Sequence, residues 1–268
     1  MAEFVHDLAQ QAGFPGGGGM EYATGAYHYH HQAYLDVFDF LLSFQQDKLL
    51  LPASSTLDAR KGRARWAAGD AVWFIDGPFN AGVVKTDFGE FMENLVVTQL
   101  PTPGGEPPVV TNGPLGGDLW ISKDSDYVEE ASRLIQLFTT KEFQIGQAEA
   151  MDAGPANLTA VAESNAHPTF KQCCRWYESF SKLGPSAVVR NPEVARVNAK
   201  MKAVKPDLGA IVQGAFSGDV ADVRAELTKL SDASEKAREA AIKATGDSVA
   251  ADAWAFPDWR HGEDYVAG

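Results

Sequence analysis

Cysteine is nearly missing from this chain: among 268 residues only Cys173 and Cys174 occur, side by side. Adjacent cysteines do not close the long loop of an ordinary disulfide, and one isolated pair is not a zinc ligand set. A strained vicinal bridge or two buried thiols on a helix are the remaining readings. Positive charge is scarce as well, with 23 Lys and Arg against 36 Asp and Glu and a net charge of −13. Nothing in that balance supplies the basic surface that binding to nucleic acid or to an anionic membrane requires. No apolar run reaches the length of a membrane span, so direct membrane insertion is not expected. The opening Met1-Ala-Glu-Phe-Val-His-Asp7 has neither the basic segment nor the apolar stretch of a signal peptide. Read on its own, the chain predicts a cytoplasmic protein. No Gly-x-Ser-x-Gly elbow, P-loop or His-Glu-x-x-His pair is found.

What is present is enough apolar material, 45% of residues, to bury a core in one large or two small domains. A short helix is expected over residues 2–12, ending at Gly13, followed by a flexible loop through the glycines 16–19. That run lacks both the spacing and the preceding strand of a phosphate-binding loop. Helices are expected at 33–46, 58–67 and about 220–245. Another should open at Asp126, with Glu129 in the capping-box position and Val128, Ala131, Leu134, Ile135 and Phe138 on one face. A further helix should open near Thr140. Short apolar runs bounded by Gly and Pro predict strands at 71–75, 94–99 and 119–122. From His167 onward the pattern is helical throughout. Trp254, Phe256, Trp259 and Tyr265 read as anchors that dock the C-terminal tail.

The segment Trp66 to Asn80 is the most informative. It combines a reversal at Gly69-Asp70, the apolar run 71–75, and a Gly77-Pro78 turn flanked by Asp76, Phe79 and Asn80. A carboxylate, an aromatic face and an amide at one strand exit suit a ligand site in an open α/β sheet. A pyranose has apolar C–H faces that stack on rings and hydroxyls that need paired donors and acceptors. A second segment, Tyr22 to His31, alternates aromatics with imidazoles. Extended, it would put Tyr27, Tyr29 and His31 on one face and His28 and His30 on the other. The three histidines have no recognisable carboxylate or Cys partner at metal-ligand spacing, so no metal and no cofactor are expected.

Four stretches occur in a consistent order: Trp66-Ala-Ala-Gly-Asp-Ala through Gly77-Pro-Phe79, Leu100-Pro-Thr-Pro-Gly-Gly105, Gly116-Gly-Asp-Leu-Trp-Ile-Ser122, and Trp254-Ala-Phe-Pro-Asp-Trp259 with Asp264-Tyr265. Together they resemble bacterial extracellular solute-binding proteins, the carbohydrate-type receptors of ABC importers, with Phe79 where that family usually carries Trp. The resemblance implies an α/β fold of the periplasmic-binding-protein type II architecture, here partial, with a mostly helical C-terminal half. It implies second-lobe sheet and cleft over 1–101 and a returning first-lobe segment over 102–153. Second-lobe helices would follow over 154–246, with the docked tail at 247–268. Implied ligand contacts are Tyr27, Tyr29, His30, Asp76, Phe79, Asn80, Gly116, Gly117 and Trp176. Implied partners are a carbohydrate or similar small polar solute and ABC permease subunits, with two lobes closing about the ligand and no catalysis. Such receptors are extracellular or cell-surface lipoproteins, and the family's signal and first βαβ units are not among these residues. A carbohydrate-active enzyme and a truncated, non-binding remnant stay open as alternatives. In the truncated case the strand 119–122 and the apolar face of the helix after it would lack neighbours.

Overall fold

The computed structural model describes residues 2–52, 54, 57–114, 119–152, 154 and 157–266. The chain is mixed α/β, dominated by helices, and divides into two compact units. Unit 1 takes residues 1–55, 101–115 and 181–268; unit 2 takes 56–100 and 116–180. The chain therefore passes between the units four times.

In unit 1, α1 (Ala2–Gln11), α2 (Gln32–Gln46), α11 (Leu208–Ser217) and α12 (Val223–Ala244) pack on one another. Their facing sides bury Val5, Leu8, Tyr34, Val37, Phe38, Ile211, Val212 and Leu227, the apolar residues whose removal from water drives the packing. Two of these helices begin where an aspartate accepts an orphan backbone N–H. Asp207 takes that of Ala210 at 2.9 Å and Asp222 that of Ala225 at 2.9 Å. The glycine run is not a loop. Gly16–Gly17 (β1) and Met20–Glu21 (β2) form a two-residue antiparallel hairpin that turns on Gly18 and Gly19, at φ 58° and 81°. Only glycine adopts both values readily, which is why the run is needed. Val110–Asn112 (β3) and Ser181–Leu183 (β4) form a parallel pair, with Val110 opposite Ser181. Gln10 of α1 fastens its edge, its Oε1 accepting from Thr111 N–H at 2.7 Å. Between β4 and α11 lie α9 (Ala187–Arg190) and α10 (Glu193–Lys200). The aromatic tail docks here: Trp254, Phe256 and Trp259 are buried, and Tyr265 N–H donates to Leu183 O at 2.7 Å.

Unit 2 contains α3 (Ala59–Ala67), α4 (Asn80–Asp87), α5 (Val128–Leu137), α6 (Lys141–Ala150), α7 (Leu158–Glu163) and α8 (Pro168–Phe180). Its core joins Trp66, Val84, Met151, Val161, Phe170 and Cys174. Gly82 is where α4 meets the end of α6: a Cβ there would lie 2.6 Å from Ala150 O and 2.7 Å from Met151 O. Both cysteines lie on α8 as free thiols, Cys174 buried and Cys173 partly so, and burial pushes Cys173 up to about 11.

Several expectations are corrected. The expected strands at 71–75, 94–99 and 119–122 do not form: Asn94 ends a 3-10 helix, Gly89–Asn94, and the rest of these stretches is irregular. A strand needs a partner for its backbone donors and acceptors, and among the described residues none pairs with these segments. Their apolar side chains do not form a buried face either: Val72 is fully exposed, and Val96 and Trp120 nearly so. Helix α5 opens at Tyr127 without a side-chain cap, so the capping box at Asp126 and Glu129 does not form. Val128, Leu134 and Leu137 on α5 are exposed, and no residue of that helix is buried. Among the described residues no helix is long and apolar enough to cross a membrane.

Candidate functional site

The cluster in unit 2 is built from α3 outward. Asp58 starts that helix by accepting from Lys61 N–H at 2.8 Å. The helix is otherwise basic and turns Arg63 and Trp66, one turn apart, to the interior. Trp66 stacks on Phe74 with centroids 5.8 Å apart and meets Phe91 edge-on at 4.7 Å. This aromatic layer fixes the irregular stretch 71–76 without any strand pairing. At its end Asp76 accepts from Gly77 N–H at 2.9 Å, tightening the turn into α4. The Phe79 ring lies over Gly77, where a Cβ would come within 2.3 Å of it.

Arg63 ties the turn together. Its Nη2 donates to Asp76 Oδ2 at 2.8 Å, its Nε donates to Asn80 Oδ1, and its guanidinium lies 5.7 Å from the Phe79 ring centroid. The backbone of Asp76 is open to solvent, but its side chain is only 15% exposed and that of Arg63 11%. This is a shielded, charge-assisted network rather than a surface ion pair. Phe79 keeps 38% of its surface in water. The arrangement leaves an aromatic face beside a carboxylate and an amide whose rotamers are locked from behind.

Asp76, Phe79 and Asn80 are thus brought together, as expected from their spacing. Tyr27, Tyr29 and His30 belong to unit 1, where each bonds to a side chain of α12. Tyr27 N–H donates to Glu235 Oε1 at 2.7 Å and Tyr29 N–H to Ser231 Oγ at 2.9 Å, which fastens their segment to α12. The two tyrosine rings stack at 6.1 Å. Arg238 lies over both Tyr27 and Trp254, 5.2 and 5.1 Å from their centroids, and pairs with Glu235. Burial pushes Tyr29 up to about 12, with the neighbouring Tyr27 and Glu3 adding to it. Trp176 is half-buried on α8. Gly116 and Gly117 lie outside the described residues.

The residue missed from sequence is Arg63. Its signal was an arginine one turn before a buried tryptophan, on the face of α3 that should have been apolar. Also missed were Ser231, Glu235 and Arg238, polar positions on the inner face of α12, and Glu21, whose Oε1 lies 2.6 Å from His28 Nδ1. Among the described residues no group of three or more His, Cys, Asp or Glu is arranged to hold a metal ion. Two open grooves lie elsewhere. One of 470 Å³ in unit 2 is lined by Thr139, Gln144, Asn157, Leu158 and Thr159, and one of 500 Å³ in unit 1 runs past Arg190 and Asp252. Among the described residues the first is lined by no titratable group and by none of the Phe79 turn.

Compared with known proteins, the chain matches no family model, no curated protein and no solved structure.

Proposed function

We propose that the chain is a non-catalytic solute-binding receptor, the binding component of an ABC transport system, and that its ligand is a carbohydrate or a similar small polar solute. On this reading the protein works at the cell surface or outside the cell and follows a partial type II binding-protein plan. The observation that carries the reading is the Phe79 turn. A half-exposed ring stands next to a carboxylate and an amide that Arg63 holds fixed, so a sugar could stack and bond without first ordering its contacts. The division of the chain into two compact units also supports it, because two domains that close about a ligand are one way binding proteins work. Asp76 would accept from ligand hydroxyls through the lone pairs that Arg63 and Gly77 leave free, and Asn80 would donate through its amide nitrogen.

The test is calorimetry of the purified chain against a panel of mono- and oligosaccharides, repeated with Phe79→Ala. Loss of one stacking face is expected to cost about 1–2 kcal/mol, or roughly tenfold in affinity. No heat with any sugar would refute carbohydrate binding. Unchanged affinity in the variant would remove Phe79 from the site, and release of reducing ends during incubation would identify an enzyme instead.

A further inference from the structure

His28, His30 and His31 crowd together at the start of α2, and the hydrogen bonds around them fix where each proton must sit. The rings of His28 and His30 are 4.3 Å apart and those of His28 and His31 are 5.3 Å apart. His31 is the N-cap of α2: its Nδ1 accepts from Ala33 N–H at 3.1 Å. An acceptor nitrogen must be bare, so His31 carries its proton on Nε2. Ser231 Oγ accepts from Tyr29 N–H at 2.9 Å and spends its only proton on Leu227 O at 3.0 Å. Toward His30 Nδ1, 3.1 Å away, it can therefore only accept, which assigns a proton to that nitrogen. His28 Nδ1 faces the carboxylate of Glu21 at 2.6 Å and donates to it. Of the three, His31 alone holds its contact through an unprotonated nitrogen.

We propose that His31 is an acid-released cap: a proton taken up at its Nδ1 would set N–H against N–H at Ala33, freeing the first turn of α2 and with it the segment 27–31 that lies on α12. Histidine is the residue type whose ordinary range makes such a cap respond near neutral pH, unlike the Ser, Asp or Asn caps used elsewhere in this chain. The surroundings set its direction. Burial against Phe14, whose ring meets the imidazole edge-on at 5.4 Å, and the neighbouring His28 hold His31 below the usual histidine range, while Glu21 and Asp36 oppose them. His30 is held down in the same way, by burial, His28 and Arg224, against Asp232 and Glu21. With a folded value lowered from the unfolded one, the cap's contribution is complete above about pH 6.5 and is lost as pH falls below it.

The experiment is an NMR titration of the histidine rings of the whole chain between pH 7.5 and 5, with amide exchange of Ala33 read as protection relative to the unstructured rate. His31 is expected to titrate below about 6.5, and protection at Ala33 should fall about fivefold on acidification, the loss of one cap. His31→Asn supplies a cap that does not titrate, and should abolish the acid response of residues 32–35. His28→Gln removes the like charge and should raise the His31 midpoint. A His31 midpoint at or above the ordinary value, or Ala33 protection that does not change with pH, overturns the proposal without recourse to any variant. So does an acid response that survives in His31→Asn.

Discussion

Replacing Arg63 by methionine isolates what holds the Phe79 turn. Methionine keeps most of the apolar stem but removes the guanidinium, so the packing of α3 on its surroundings changes little while three contacts vanish together. Asp76 loses its partner at 2.8 Å with its side chain only 15% exposed, Asn80 Oδ1 is left with no donor at a position 9% exposed, and the Phe79 ring loses its cation. Removing one partner of a fully buried ion pair costs about 3–5 kcal/mol because an uncompensated charge stays behind. The residual exposure of Asp76 lets water recover part of that, so about 2–3 kcal/mol is the expected loss. The double variant Arg63→Met, Asp76→Asn should regain about 1 kcal/mol, since a neutral amide is cheaper to leave there. Arg63→Lys should fall between, because a lysine cannot bridge Asp76 and Asn80 with one planar fork. A single melting curve would blur two units, so the assay is hydrogen exchange resolved by peptide. Protection should drop in 59–67 and 80–87 and stay unchanged in 223–244. If those unit 2 peptides move by less than about 0.5 kcal/mol, within the scatter of unrelated surface changes, the network does not hold the turn.

Other expected outcomes follow from the same contacts. Gly82→Ala forces a methyl group into the backbone of Ala150 and Met151 and should destabilise unit 2 by about 1–3 kcal/mol, despite alanine's better helix propensity. An unchanged or raised stability by denaturant titration would mean that α4 and α6 do not approach as described. Phe170→Ala, at a site with no exposed surface, should cost about 3–5 kcal/mol, whereas Leu134→Ala on the open face of α5 should lie within about 0.5 kcal/mol of the parent. Equal effects from the two would show that α5 is covered in solution.

Much of the helical framework was legible, and for definite reasons. Asp58 precedes a charged helix, Thr140 sits where its side chain reaches a backbone donor, and the last long helix ends within a residue of its expected limit, though it starts three residues later than expected, at the cap Asp222. The strands were misread because apolar runs such as 71–75 and 119–122 satisfy the composition of a buried strand without saying whether a neighbour exists. Val72 and Trp120 show the difference, being exposed where a sheet would have covered them. The clustering of Asp76, Phe79 and Asn80 was visible because the three are near neighbours in sequence. Arg63 was not, since a basic residue on a basic helix carries no mark of burial until the partner 13 positions away is known to fold onto it.

The fourfold passage between units has a bearing on synthesis. Val110 and Ser181 pair although about 70 positions separate them, and α1 packs on α11, near the far end of the chain. A ribosome therefore releases α1 and α2, which can pack on each other at once, long before α11 and α12 exist, and the sides of the pair that those helices cover must wait in water until the third piece of unit 1 emerges. Unit 2 finds all its parts by residue 180, well before unit 1 does. The order of assembly is then set by wiring: the middle of the chain closes first, and the two ends meet last, with slow formation of those distant contacts as the expected signature.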